Sequence, residues 1–243
     1  MKVSIASWAA WIEGVEYQSF GQRLNEDNPT ASEYKIPVPH SAPAMQRRRL
    51  SKLAKITLSQ IEHITDYAEL QTVFCSRHGD LPKTSELVTD VANKEELSPT
   101  QFALSVHNAI SGQFGIFSGN NQPSTLVSGG QDSFHLGLID ATLKLQHSND
   151  DKLIFVYSDM PLPEAYAMYA DEQQFAHCIV LELTKSTEYL SYNLTFDAHE
   201  NTPNTSTNAL PQSIAFFKHF LAQNRQFSIA GKQHWRWQKN GIH

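Results

Sequence analysis

Only two cysteines occur in the 243 residues, Cys75 and Cys178. Each lies inside an apolar run, which excludes a disulfide framework and suits buried, reduced thiols. Long apolar runs are missing as well: no stretch reaches the roughly 18 residues of a membrane span. The amino terminus also lacks a charged region leading into an apolar core, so a cytoplasmic chain is expected. Positive charge is scarce, the formal net charge being -6. The one basic run, Arg47-Arg48-Arg49, is a single helix-face cluster, so no nucleic acid partner is expected. The eleven histidines include no HExxH and the cysteines no CxxC, so neither metal nor cofactor is expected. The densest cluster, "CSRHGD" (Cys75, His78, Asp80), reads as a buried thiol at a strand end followed by exposed polar residues, with a metal or Cys-His pair as its alternative. No glycine loop for phosphate is present.

What is there is an alternation of strand and helix signals. "KVSIASWAAW" reads as a buried first strand, and a polar, proline-bearing loop follows from about Glu26 to Pro43. "AMQRRRLSKLAKITLSQIEHI" spaces Met45, Leu50, Leu53, Ile56, Ile61 and Ile64 for one helix over a sheet. "ELQTVFCSR" is a second strand, "TSELVTDVAN" a short helix capped by Ser85, and "SPTQFALSVHNAIS" a helix with proline in its first turn. Then come "STLVSGGQDSFHLGLIDATLKL", a strand, a Gly-Gly hinge and a helix, and two β-rich runs, "DKLIFVYSD" and "AHCIVLEL", around a loop. Residues from Ser191 to Pro211 read as an exposed loop, "LPQSIAFFKHFLAQ" as a helix with Ile214, Phe217 and Leu221 on one side, and "QFSIAGKQHWRWQ" as an edge strand. The order predicts an α/β fold, a mixed and largely parallel sheet with helices on both faces. A single domain over 1–243 is expected, with residues 1–185 as its main unit and 186–243 as loop, helix and terminal strand.

The hinge is the place where α/β enzymes seat a nucleophile. A strand that turns through tight glycines into a helix puts the first helical side chain at the positive end of the macrodipole, where a thiolate or oxyanion is stabilised. Here that residue is Gln131, which can hydrogen-bond or fill space but cannot attack. "VSGGQ" is not the GxSxG elbow either, because Ser128 precedes the hinge. Gly129-Gly130 turning the chain and Gln131 capping a helix remains the plain reading, with Asp132 and Ser133 as a capping pair or as pocket residues.

The stretch "SPTQFALSVHNAISGQFGIFSGNNQPSTLVSGGQDSFHLGLIDA" resembles the amino-terminal half of the β-ketoacyl synthases, of thiolase-like fold. That family carries an interface helix "N-x-x-x-G-x-x-x-I", a "G-P" turn, a strand and the nucleophile elbow "A-C-x-S-G". Asn108, Gly112 and Ile116 follow the helix pattern, Gln122-Pro123 replaces "G-P", and Gln131-Asp132-Ser133 lies over "C-x-S". The cysteine position therefore falls on Gln131, a replacement that resembles the chain length factors, inactive partners of ketosynthases, which often carry "G-G-Q". The second thiolase half, with its "H-G-T-G-T" and "N-x-H-F-G-F" histidine motifs, is not matched. The chain is thus similar to a truncated chain length factor with a single thiolase-like half, as in aryl polyene biosynthesis.

The resemblance implies a subunit without catalytic residues of its own, part of an acyltransferase heterodimer in polyketide or fatty acid biosynthesis. It would pair with an active ketosynthase and meet acyl carrier protein through the complex. Phe102, Val106 and Ala109, spaced i, i+4, i+7, would share a helix face and wall the tunnel that limits product length. Asn108, Gly112, Gly129, Gly130, Gln131 and Ser133 would form the interface and hinge. Two alternatives stay open: a stand-alone hydrolase or malonyl decarboxylase of the same fold, using Ser128 or Ser133 in the hydrolase case, and a homodimeric binding scaffold.

Overall fold

The structure, a computed structural model, describes residues 1–15, 35–198 and 208–241. Strand β1 (Lys2–Ile12) opens the chain. Of the expected loop from Glu26 to Pro43, residues 26–34 lie outside the described residues, and 35–43 carry no helix or strand. The helix expected over Met45 to Ile64 is two: α1 (Ala44–Arg47) and α2 (Lys52–Ile61). Ser51 divides them, taking an extended conformation so that its Oγ accepts the Ala54 N–H at 3.1 Å as an N-cap. Strand β2 (Thr72–Cys75) is buried along its length. Helix α3 (Leu81–Ala92) starts one turn before Ser85, with Pro82 in its first turn, so Ser85 is not its cap.

The helix expected from Ser98 to Ser111 is also broken, into α4 (Pro99–Ala103) and α5 (Ala109–Ser118). The intervening "SVHN" combines Ser, β-branched Val, His and Asn, all poor in helix interiors, and Ser105 turns its hydroxyl back to the Phe102 carbonyl at 2.8 Å. Phe102 and Ala109 therefore sit on different helices and do not share one face. The rest follows as β3 (Ser124–Val127), a 3-10 turn (Gly130–Asp132), α6 (Ser133–His147), β4 (Lys152–Asp159) and β5 (His177–Thr184). A 3-10 segment, Glu164–Tyr169, joins β4 to β5.

Residues 191–198, expected in a loop, belong to β6 (Leu190–Ala198), while 199–207 lie outside the described residues. The strand's period of two was hidden among Asn, Thr and Ser: Tyr192 and Leu194 are buried and Asn193 and Thr195 exposed. Helix α7 (Gln212–Leu221) buries Ile214 and Phe217. The expected edge strand is a hairpin, β7 (Gln226–Ala230) and β8 (Gln233–Lys239), turning at Gly231-Lys232.

Among the described residues eight strands form one sheet in the order β3-β2-β4-β5-β1-β6-β8-β7. Only β2 pairs in parallel, with β3 and β4; every other pairing is antiparallel, which corrects the largely parallel expectation. The parallel strands are those joined through α-helices, whereas β4 returns to β5 through a loop with a 3-10 segment and β7 to β8 through a tight turn. Helices α6 and α7 cover one face, α2 and α5 the other. Strand β4 shows the sandwiching: Leu153, Phe155 and Tyr157 enter the first core with Phe134, Phe216 and Trp237, while Ile154 and Val156 enter the second with Ile56, Ile61 and Phe114. Both cysteines are buried and free.

Candidate functional site

The carboxyl ends of the three parallel strands, Val127, Cys75 and Asp159, lie side by side, and the Gly-Gly hinge leaves the sheet there. Gly130 takes φ 63°, a left-handed conformation open to glycine. A Cβ on Gly129 would stand 2.4 Å from Leu136 Cδ1. The turn is locked by Ser133: its Oγ accepts the Gly129 N–H at 2.9 Å and donates to the Gly130 carbonyl at 2.6 Å. That hydroxyl is fully buried and fully engaged within the hinge. Ser128 Oγ donates to the Arg77 carbonyl at 3.3 Å. Gln131 is half-buried in the 3-10 turn that leads into α6, and its side-chain amide makes no hydrogen bond among the described residues. The slot that would hold a nucleophile thus presents an uncommitted carboxamide.

The next residue fastens the hinge to the far end of the chain. Asp132 is buried and accepts from Gln212 Nε2 at 2.8 Å, Trp235 Nε1 at 3.0 Å and the Gln233 backbone N–H at 3.1 Å. The indole of Trp237 can only donate, and it reaches His135 Nε2 at 3.2 Å. His135 is therefore the Nδ1–H tautomer, giving that proton to Gln212 Oε1 at 2.7 Å. Its ring stacks on Trp235 at 4.4 Å, and burial pushes its pKa down to about 3, so the network is neutral at the imidazole. Gly231 sits against the Asp132–Gln212 pair so closely that a Cβ would lie 2.0 Å from Asp132 Oδ1. None of Gln212, His135, Gly231, Trp235 or Trp237 stood out from the sequence as a site residue. The available signal was "IAGKQ", a Gly-Lys turn between two alternating runs.

A second polar cluster lies beside the hinge. Asp159 accepts from Ser76 Oγ at 2.6 Å, Tyr157 OH at 2.7 Å, the Arg77 N–H at 2.9 Å and the His78 N–H at 3.1 Å. Arg77 in turn pairs with Asp171 at 2.7 Å and Glu172 at 3.2 Å. "CSRHGD" therefore wraps a strand end: the Cys75 thiol donates to the Ser133 carbonyl at 3.0 Å, and burial pushes its pKa well up. Among the described residues, no three His, Cys, Asp or Glu side chains are grouped to hold a metal.

Burial raises the Glu172 carboxyl to about 7, against the pull of Arg77. Its folded pKa lies above its unfolded one, so Glu172 weakens the fold as pH rises from about 4.5 to 7 and restores it on acidification. The buried His135 and His177, with lowered pKa values, act in the opposite sense, weakening the fold as pH falls below 6.5. Glu172→Gln removes the compensating group. Its urea-unfolding stability should fall more steeply than that of the parent between pH 7 and 5, by roughly 2 kcal/mol; parallel profiles would refute the assignment.

Among the described residues strand β3 ends the sheet with one side unpaired, and apolar side chains stand exposed on the helices of both flanking layers. Ile116 of α5 is 76 % exposed, and Leu136 and Leu143 of α6 are 39 % and 45 % exposed. Gly112, one turn before Ile116, has nothing within 4 Å of where a Cβ would be. Phe102 on α4 is 58 % exposed, and Val106, between α4 and α5, is 42 % exposed. Val106 also borders a cavity of about 20 Å³ shared with Cys75, Ser76 and His107, large enough for one water. Ala109 is half-buried at the first position of α5, where Asn108 is the N-cap residue without a side-chain cap bond.

Residues 21–238 match the family described as the N-terminal domain of beta-ketoacyl synthase. No curated protein sequence matches the chain. Among solved structures, a chain from the complex of the ketosynthase ApeO with its chain length factor ApeC, from Xenorhabdus doucetiae, is 26% identical. It covers 98% of this chain and 99% of its own length, with a TM-score of 0.80. The ishigamide ketosynthase/chain length factor is 12% identical over 82% of this chain and 68% of that one, at 0.64. A chain of a complex between a type II polyketide synthase acyl-carrier protein and its ketosynthase, bound to a hexaketide, is 8% identical over 100% and 99%, at 0.67. The last two show the fold alone, a mixed α/β ketosynthase half of thiolase-like type. Among the described residues, no helix is long and apolar enough to cross a membrane.

Proposed function

The chain belongs to the beta-ketoacyl synthase family, through its N-terminal domain, and on that footing we propose that it is the catalytically silent, chain length factor-like subunit of a ketosynthase heterodimer. One observation carries the reading: the hinge places Gln131 where the fold would present a nucleophile. A Claisen condensation needs a thiolate to hold the acyl chain and donors to stabilise the enolate. An amide supplies no thiolate, so the partner ketosynthase holds the thioester and receives substrate from acyl carrier protein. Gln131, with no partner inside the described chain, is available to bond across the junction.

The partner's place is the β3 edge. An unpaired strand flanked in both layers by Gly112, Ile116, Leu136 and Leu143 leaves backbone groups and apolar area for another chain to cover. The likeness to a chain of the ApeO–ApeC complex supports a ketosynthase as that partner. An aryl polyene product is part of the proposal, on the sequence resemblance to truncated chain length factors. Phe102, Val106 and Ala109 wall the shared tunnel from α4, the following turn and α5, rather than from one helical face.

Phe102→Ala tests the tunnel. Removing the exposed ring leaves this chain's own core intact, and the coexpressed pair should release a product longer by at least one condensation unit, read by mass spectrometry. Unchanged product length from an intact complex would reject Phe102 as the gate. Carbon dioxide release from malonyl carrier protein by this chain alone would reject silence itself.

A further inference from the structure

We propose that the carboxy-terminal hairpin binds an acidic, extended segment of another protein, which adds to the sheet as a strand beside β7. The charge distribution is the first ground. From residue 208 onward the chain carries Lys218, Arg225, Lys232, Arg236 and Lys239 and not one Asp or Glu, although the whole chain has net charge -6 and 25 acidic residues. Arg225 and Lys232, which bracket the hairpin's first strand, are exposed and form no ion pair among the described residues. Arg236 pairs at 2.6 Å with Asp197, and Lys239 donates to Gln223.

The second ground is the edge itself. β7 is the last strand of the sheet and pairs only with β8, leaving one row of backbone groups open among the described residues. Its sequence, "QFSIA", has no charge and no proline, and its pairing runs without a bulge, so the usual guards of an edge strand are absent. The uncovered face of the same strands presents Asn193, Thr195, Gln226, Ser228, Arg236 and Gln238 around an open cavity of about 410 Å³. A second cavity, of about 660 Å³, continues past Arg225 and Lys239. Amides, hydroxyls and cations beside an open edge are the chemistry that takes a peptide main chain with acidic side chains.

Other occupants fit less well. Antiparallel pairing of β7 with its own copy would bring Arg225 of one chain beside Lys232 of the other at both ends of the ladder, and these like charges repel. Trp235 and Trp237 are buried on the α7 side and Phe196 lies on that same face against Trp235; among the described residues the open face carries the His234 imidazole but no Phe, Tyr or Trp platform for nucleobase stacking and no apolar wedge for a membrane. The site is separate from the ketosynthase edge: β3 and β7 are opposite ends of the sheet, about 34 Å apart at ordinary strand spacing. Failure here leaves the reading of β3 untouched.

The test is fluorescence anisotropy of the full chain with a labelled peptide alternating glutamate and threonine, about nine residues long. The same peptide with lysine for glutamate, a version N-methylated at alternate residues, phosphatidylglycerol vesicles and a DNA duplex are run beside it. The acidic peptide should bind, slow hydrogen exchange at residues 226–230, and lose affinity by about tenfold or more in the Arg225→Glu/Lys232→Glu double variant. The N-methylated peptide should not bind. No binding of the acidic peptide, equal binding of the lysine peptide, an unaffected double variant, or vesicles or DNA binding in its place would each overturn the proposal.

Discussion

Ile116→Glu should abolish co-purification with the ketosynthase and leave this chain's own unfolding transition where it was. Ile116 is 76 % exposed, so little of its side chain contributes to the core formed by Phe114, Ile110 and Phe117 on the inner side of α5. Surface changes of this kind cost the isolated fold within about 0.5 kcal/mol. In the proposed heterodimer the same position lies where the second chain would pack, one turn from Gly112. A buried, unpaired carboxylate there forfeits the transfer energy of the isoleucine and adds a desolvation cost. A loss of at least about 2 kcal/mol follows, or about thirtyfold in Kd. Leu143→Glu, in the opposite layer, should do the same. Unfolding of the isolated variant would mean that Ile116 is core after all; intact pairing would move the interface elsewhere.

The second large effect is on stability. Gly231→Ala places a methyl 2.0 Å from Asp132 Oδ1 and 2.2 Å from Gln212 Nε2. Neither group can step aside, because Asp132 also holds the Trp235 indole and the Gln233 amide, and Gln212 also holds His135 and the Ala230 carbonyl. Making room breaks at least one buried bond and leaves its partner unsatisfied. The expected cost is about 3 kcal/mol, and at this chain length about 6–12 °C in Tm. Gly241→Ala, with nothing within 4 Å of its Cβ, is the control and should be neutral. Equal melting of the two variants would show that the hairpin does not brace the hinge.

The hinge was legible in the sequence because its signals are local. A β-branched run, two glycines and a helical pattern specify strand, turn and helix without reference to anything distant. Even the residue that decides the functional reading, Gln131, can be read there. What could not be read is the support. Asp132 resembles a helix cap, and its actual partners, Gln212, Gln233 and Trp235, are brought to it only by the sheet. Strand direction was lost for the same reason, since β1 is flanked by β5 and β6, which follow it late in the chain. The broken helix between Phe102 and Ala109 is a different failure. A first-turn proline and the resemblance to an interface helix carry the expectation, while the weak helix formers Ser105, Val106, His107 and Asn108 are the stronger signal.

We propose that this chain works only as half of a pair whose chemistry lies in the other half. This is tested most directly by coexpressing the chain with a ketosynthase encoded beside it and weighing the purified species by light scattering on a sizing column. The expected result is a one-to-one heterodimer that condenses malonyl units and loses all turnover when the ketosynthase's cysteine is replaced. A homodimer or monomer of this chain, or turnover that survives that replacement, would contradict it.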